Sequence, residues 1–433
     1  MTRGSGMTRR ALWLAPLLSL PLHGIYHWQR IEQGFASYAA LYALLWLLYL
    51  VSLIGFGRRR GGISVRAVVA FAVLFRLVHL GHEPFLSDDL YRYYWDGKVQ
   101  YAGINPYRYP ADAPELVRLR DVHWEEINHR DMPTLYPPLA QAAFLAVYAL
   151  GKSPWGYRVA FLLFDLGLIL VLMRLAHELR ALPQQVLAYA WNPLPIQEFA
   201  GHGHVDALAL FFFWLAFLAL TCKRPLAGQA SLGLSVLSKL IGGIVWPTFV
   251  RRVNIMKGAL AFAIPVALGY LAYADRGFRA LKNLSYFARH WEFNASLFYL
   301  ARSVLGSGDR ARLACLVALA AVVALLWWKD RRDLRASAVA VLAWATLTTT
   351  LHPWYVTWLL PFACFLRLRS VLWLTLACGL AYYSRFELLA GRGWHDSPLV
   401  LLVEYAIFYP LLAVDLIGLY RKANETGSAD SRA

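Results

Sequence analysis

Charge is scarce in this chain: Asp, Glu, Lys and Arg make up 16% of its 433 residues, against 59% apolar. That balance excludes a soluble globular domain and points to a membrane protein. The four cysteines (Cys222, Cys315, Cys364, Cys378) lie within or at the ends of apolar segments, without paired spacing in any polar loop. Neither a disulfide framework nor a cysteine zinc site is therefore expected. A glycine-rich phosphate loop is missing, which argues against a nucleotide-linked ligand, and the chain has no tandem repeat and no soluble domain. Acids are the scarcer sign, 26 against 43 Lys and Arg, for a net charge of +17. The excess does not call for nucleic acid, because no basic and aromatic motif of a nucleic-acid module stands on a soluble element. The basic residues form short knots between apolar segments: Arg58-Arg59-Arg60, Lys223-Arg224, Arg251-Arg252, Lys329 to Arg335, Arg367 with Arg369, and Arg421-Lys422. Such knots mark cytoplasmic loops and contacts with anionic lipid headgroups.

What the chain does have is apolar runs of membrane-spanning length from one end to the other. Candidate spans are 11–27, 37–56, 64–80, 157–175, 185–199, 205–221, 257–274, 311–328, 336–351, 354–367, 370–389 and 398–420. Arg3, Arg9 and Arg10 before the first of these mimic a signal peptide, but no small-residue cleavage site follows, so the segment is kept as a membrane helix. Two further apolar pieces, 137–150 and 226–250, are bounded or interrupted by Pro137-Pro138, Gly151, Lys239 and Gly242-Gly243, which suits broken or re-entrant helices. If neither crosses, every basic knot falls on one side. The expected fold class is then all-α: a polytopic membrane protein with about twelve crossings and both termini cytoplasmic. Residues 1–423 read as one membrane unit and 424–433 as a disordered polar tail. Loops 81–136 and 275–310, with the turns near His202, His352 and His395, fall on the extracytoplasmic side of the plasma membrane. Within the first loop, residues 121–129 alternate apolar and charged positions as a short interfacial amphipathic helix would.

Five polar constellations interrupt this pattern on the extracytoplasmic side. Asp88-Asp89 and Asp96, with Arg92 between them, stand just past a hydrophobic helix. Helix capping accounts for one carboxylate; the others are costly there unless a polar substrate is handled. A carboxylate at the edge of a low-dielectric site can deprotonate an attacking hydroxyl. Tyr136-Pro137-Pro138-Leu139 gives a rigid helix entry. Glu198 with His202, His204 and Asp206 fits either phosphate and sugar hydroxyls or zinc; the former is preferred, because a clear third strong ligand is lacking. Lys239 either snorkels or faces a polar cavity. The last constellation combines His290 and Asn294 with His352 and Tyr355, where Pro353 breaks the backbone, and Arg385 extends it.

An outward carboxylate, scattered cations and many aromatic rings in a membrane protein suit sugar transfer from a lipid-phosphate donor. Rings stack on pyranose faces, apolar helices accept a polyprenyl tail, and Arg, Lys and His neutralise the leaving phosphate. A single displacement at the anomeric carbon inverts its configuration, and the chemistry needs no metal and no other cofactor. At these residues the chain resembles the GT-C superfamily of polyprenyl-phosphate-sugar-dependent glycosyltransferases, bacterial mannosyltransferases foremost and, more distantly, the catalytic subunit of GPI mannosyltransferase I. The likeness rests on Ser87-Asp88-Asp89, Gly103-Ile104-Asn105-Pro106-Tyr107 and Tyr136 to Leu139. It implies that Asp89, or its neighbour Asp88, is the general base and that His352 stands near the donor phosphate. It also implies a hexose, mannose by analogy, moved to a lipid-linked or glycan acceptor. The competing reading is a secondary transporter or flippase, which also places charges in the membrane. Against it, the 81–136 loop has no counterpart in the second half.

Overall fold

The computed structural model describes residues 12–28, 34–57, 62–81, 84–251, 253–274, 279–329 and 334–430. Among these every regular element is helical, and an isolated parallel bridge joins Phe293 to Thr350. Five helices are long and apolar enough to cross a membrane: Gly34–Phe56, Pro154–Glu178, Ile255–Ala272, Gly308–Trp328 and Pro398–Arg421. Two of them expose their leucines (Leu260, Leu268 and Leu271; Leu313, Leu316 and Leu325), as helices do that meet lipid tails rather than protein. The last helix runs on to Asp430, past Asn424, where the polar sequence predicts a tail.

Several expected spans are broken rather than continuous. Residues 185–199 are predicted as one helix, but Asn192 accepts the amide of Leu194, and Pro193 and Pro195 lack donors. The segment is consequently split into a short helix at Leu187–Ala190, one turn at Pro193–Pro195 and a π-helical turn at Ile196–Gly201. The expected spans 354–367 and 370–389 are likewise divided, into Pro353–Val356, a 3-10 turn at Leu360–Cys364, Arg369–Ala377, a 3-10 turn at Cys378–Tyr382 and Tyr383–Leu389. The 226–250 piece is broken as its composition predicts: the helix Pro225–Ser238 stops at Lys239, whose backbone is extended before a 3-10 turn at Leu240–Val245. Breaks of this kind occur at membrane depth only where protein or a wet cavity satisfies the backbone.

The 81–136 loop has its own small core of Trp95, Val99, Ala111, Leu116 and Ile127. It opens with a helix at Asp89–Tyr101 that packs closely on Pro138–Gly151; a Cβ on Gly97 would stand 2.5 Å from the Phe144 carbonyl. The amphipathic helix expected at 121–129 does not form. Asp121 instead accepts from the amide of His123 and from Lys98 and Tyr94, and successive i to i+3 turns end at His129 with φ +44°. Trp124, the apolar residue that such a helix would turn to lipid, lies between the guanidinium groups of Arg120 and Arg130, at 4.2 and 4.3 Å.

A buried ion pair joins two of the helices beneath this loop. Arg76 donates to Asp165 at 2.5 Å and to the Ala190 carbonyl at 2.7 Å, while Tyr189 donates to Asp165 at 2.6 Å; both charged side chains are fully buried. Asp165→Ala leaves the guanidinium uncompensated and is expected to cost about 3–5 kcal/mol, whereas removing both charges together with apolar replacements is close to neutral. Melting temperatures of the two variants in detergent check this; equal losses would rule out charge imbalance as the cause.

Candidate active site

A cavity of about 630 Å³ opens where the first loop, the second loop and the broken segments meet. Of the residues singled out in the sequence, Asp88, Asp89, Arg92, Tyr136, Lys239, His290, His352, Tyr355 and Arg385 line it. They come from six stretches of chain, 297 positions apart at the extremes, Asp88 and Arg385.

Asp89 is the first residue of its helix, and its carboxylate is fixed from two sides. Asn128 Nδ2 donates to Oδ1 at 2.9 Å and the Tyr136 hydroxyl to Oδ2 at 3.2 Å. Asp88 shares Asn128, at 2.6 Å, and is otherwise occupied by Arg385, whose guanidinium lies 2.9 Å from Oδ2. Of the adjacent acids, Asp88 is therefore committed to an arginine, whereas the basic side chain closest to Asp89 in its contacts is the His204 imidazole, 3.7 Å from Oδ2. Burial alone would push the Asp89 carboxyl up, but His204, Lys239 and the Asn128 amide outweigh it and hold the group below the usual carboxylate range.

Lys239 and His352 share the cavity with these acids. Lys239, placed by the break between helices, is anchored by Asp206 at 3.0 Å, and its ammonium lies over the rings of Tyr355 and Tyr136 at 5.1 and 5.4 Å. His352 is held between Phe293 and Trp354, with ring centroids at 4.7 and 4.2 Å, and its Nδ1 has no hydrogen-bond partner among the described residues. Burial lowers its pKa to about 3, with Lys239 acting in the same sense, so the ring is neutral. The Phe293 and Thr350 bridge fixes its height: Phe293 donates to the Thr349 carbonyl at 3.0 Å and accepts from Leu351 at 2.9 Å.

Other predicted site residues stand elsewhere. Asp96 is buried beneath the loop, 3.2 Å from Arg92 and 2.9 Å from Gln141 Nε2. Arg92, although it reaches the cavity wall, also spends donors on the His129 and Met132 carbonyls, and so ties the loop to its helix. Asn105 lines a separate hollow with Gly103, Arg108 and Glu115 and donates to the Tyr273 carbonyl. Asn294 is buried at φ +48°, donating through its side chain to Leu351 O and Glu404, each at 3.3 Å. Glu198, His202, His204 and Asp206 are wholly buried behind the cavity wall rather than in it. A role as direct ligands of phosphate or sugar does not fit that placement.

Sequence reasoning passed over Asn128, which donates to both adjacent acids, because the predicted interfacial helix absorbed it. A signal existed: Asn128 and His129 form a polar pair before Met132-Pro133, a pattern suited to a turn. It also passed over Trp354, stacked between His204 and His352 at 4.1 and 4.2 Å.

Residues 15–254 match the MptA_B family, described as alpha-(1->6)-mannopyranosyltransferase, N-terminal domain. That stretch carries Asp88, Asp89, Tyr136 and Lys239; His352, Tyr355 and Arg385 come from beyond it. Among solved structures, ArnT from Cupriavidus metallidurans bound to undecaprenyl phosphate aligns with a TM-score of 0.45 at 18% identity, over 82% of this chain and 72% of that one. No curated protein matches the chain.

Proposed function

Because this chain belongs to the MptA_B family of alpha-(1->6)-mannopyranosyltransferases, we propose that it moves mannose from a polyprenyl-phosphate donor to a hydroxyl of a lipid-linked or glycan acceptor at the extracytoplasmic face of the plasma membrane. Asp89 takes the acceptor proton as the hydroxyl attacks the anomeric carbon, and the phosphate leaves toward Lys239, neutral His352 and Arg385. One displacement inverts the centre, so an α-linked product requires a β-linked mannosyl phosphate. The observation that carries the reading is Asp89 itself: a carboxylate on the wall of an aromatic-lined cavity, held by no Arg or Lys contact among the described residues, fixed by Asn128 and Tyr136, backed by His204 and sharing the cavity with Lys239. Trp291 and Trp394 line the same cavity and offer aromatic surface for a pyranose ring, whereas Trp354 is already stacked between His204 and His352.

The test is transfer of labelled mannose from a synthetic β-mannosyl-phosphate polyprenol by protein purified in detergent, with the linkage of the product read by NMR. An α-linked mannoside is expected; a β-linked product would replace single displacement with double displacement. Concentrative uptake by proteoliposomes without transfer would favour a transporter.

The pH profile follows from the lowered Asp89 pKa. The base works only when deprotonated, so the rate falls as pH drops through its pKa. That pKa lies below the ordinary carboxylate value, and kcat/KM is therefore expected to hold level from pH 7 down to about pH 5 before the acid limb begins. A limb centred near pH 6 to 7 would assign the base to another group.

A further inference from the structure

Behind the cavity wall, the chain folds back on itself after the π-helical turn Ile196–Gly201. Gly203, at φ +70°, allows the reversal, and a Cβ there would come within 2.9 Å of the Arg158 side chain. The amides of His202 and His204 donate to the carbonyls of Gln197 and Glu198, each at 3.0 Å, which brings both imidazoles over the Glu198 carboxylate. His204 Nε2 lies 3.3 Å and His202 Nδ1 3.8 Å from the same oxygen, Glu198 Oε2. All three side chains are fully buried, and none of the four ring nitrogens makes a hydrogen bond among the described residues. An imidazole nitrogen buried without an aligned hydrogen bond costs about 1–3 kcal/mol, and a cation held between the two rings and the Glu198 carboxylate removes that cost for one nitrogen of each ring.

We propose that Glu198, His202 and His204 bind a zinc ion through Oε2, Nδ1 and Nε2. Two histidines and a glutamate form a known zinc donor set. A tetrahedral ion holds neighbouring ligand atoms about 3.4 Å apart. Glu198 and His204 already stand at that spacing, His202 Nδ1 is 3.8 Å from the same oxygen, and one ligand atom from each of the three residues lies within 4.8 Å of the others. The outer partners that orient metal ligands are in place as well: the Tyr382 hydroxyl donates to both Glu198 oxygens, at 2.9 and 2.8 Å, and Gln197 Nε2 donates to Oε1 at 2.9 Å. With Nε2 of His204 on the ion, its proton resides on Nδ1, which faces Asp89 Oδ2 at 3.7 Å. The ion thereby fixes the tautomer that backs the proposed base, a positioning role and not a step in the displacement.

The full chain, purified in detergent without a polyhistidine tag or chelator, is expected to carry about one zinc per chain by mass spectrometry. After zinc is stripped, added Co2+ gives the visible absorption of a four- or five-coordinate site. His202→Ala and Glu198→Gln abolish that absorption. Tyr382→Phe, which keeps the ring and removes only the hydroxyl, weakens Co2+ affinity about 10–100-fold. Size-exclusion profiles verify that each variant is folded, and Tyr382→Phe keeps the test decisive if the ligand variants are not. Wild-type protein with neither zinc nor a cobalt spectrum overturns the proposal and leaves ordered water on the imidazoles. Stoichiometric metal that survives all three substitutions overturns it equally, since the ion then sits elsewhere. Metal content is read without turnover, so failure here leaves the mannosyl-transfer reading intact, and the reverse also holds.

Discussion

Asp89→Asn lowers the transfer rate about 10²–10⁴-fold, the span that a positioned general base contributes, while the protein stays folded in detergent. The amide keeps the size and shape of the carboxylate. Three donors are aimed at the site, and the one oxygen that remains, placed at Oδ2, keeps the Tyr136 and Tyr93 hydroxyls while Asn128 Nδ2 loses its bond to this residue. One hydrogen bond is lost, worth about 1 kcal/mol, too little to unfold the chain. What disappears is the anionic lone pair that takes the acceptor proton, so KM for the donor changes little and kcat carries the loss. Asp88→Asn is the informative partner. It weakens the contact with Arg385 at 2.9 Å and is expected to raise donor KM more than it lowers kcat. Single-turnover transfer of labelled mannose distinguishes the two. Near-normal kcat in Asp89→Asn together with a dead Asp88→Asn would move the base one residue back.

Lys239→Met is the second large effect, and it acts in two ways that can be separated. Its ammonium belongs to a cavity-lining residue and lies over the Tyr136 and Tyr355 rings, where it can meet the leaving phosphate. Losing one preorganised donor to developing negative charge costs about 10²–10³-fold in rate. The same change also strands Asp206, whose side chain is wholly buried and, among the described residues, keeps the Trp358 indole, at 2.9 Å, as its hydrogen-bond partner. A buried carboxylate robbed of its cation destabilises by about 3–5 kcal/mol. Adding Asp206→Asn removes that charge, so the double variant recovers thermal stability without recovering transfer. If activity returns along with stability, Lys239 serves the fold alone and has no part in the chemistry.

The stretches that became legible without coordinates are those where chemistry departs from its local background. Asp88-Asp89 and Lys239 stand out because a charge amid apolar sequence is expensive wherever it lies, and both sit on the cavity wall. The break at Lys239 was equally readable, since Ser238, Lys239 and two glycines interrupt an apolar run. The divisions at 185–199 and 354–389 were not, because apolar composition predicts burial or membrane contact but does not say whether one helix or several fill the depth. Gly103 to Tyr107 matched the family pattern, yet Asn105 faces its own hollow: a sequence pattern records that a turn exists, not which cavity it borders.

The sequence by itself determined the membrane class, the helical fold, the glycosyltransferase resemblance and the list of polar groups too costly to be incidental. Those properties follow from composition and short-range spacing, which the chain carries at every position. Only the tertiary structure decided which of those groups share a cavity, that Arg385 takes Asp88 rather than Asp89, and that Glu198, His202 and His204 close on one another behind the wall. Such pairings join residues up to about 300 positions apart, and they are set by how broken helices pack around one another, a geometry that no local pattern encodes.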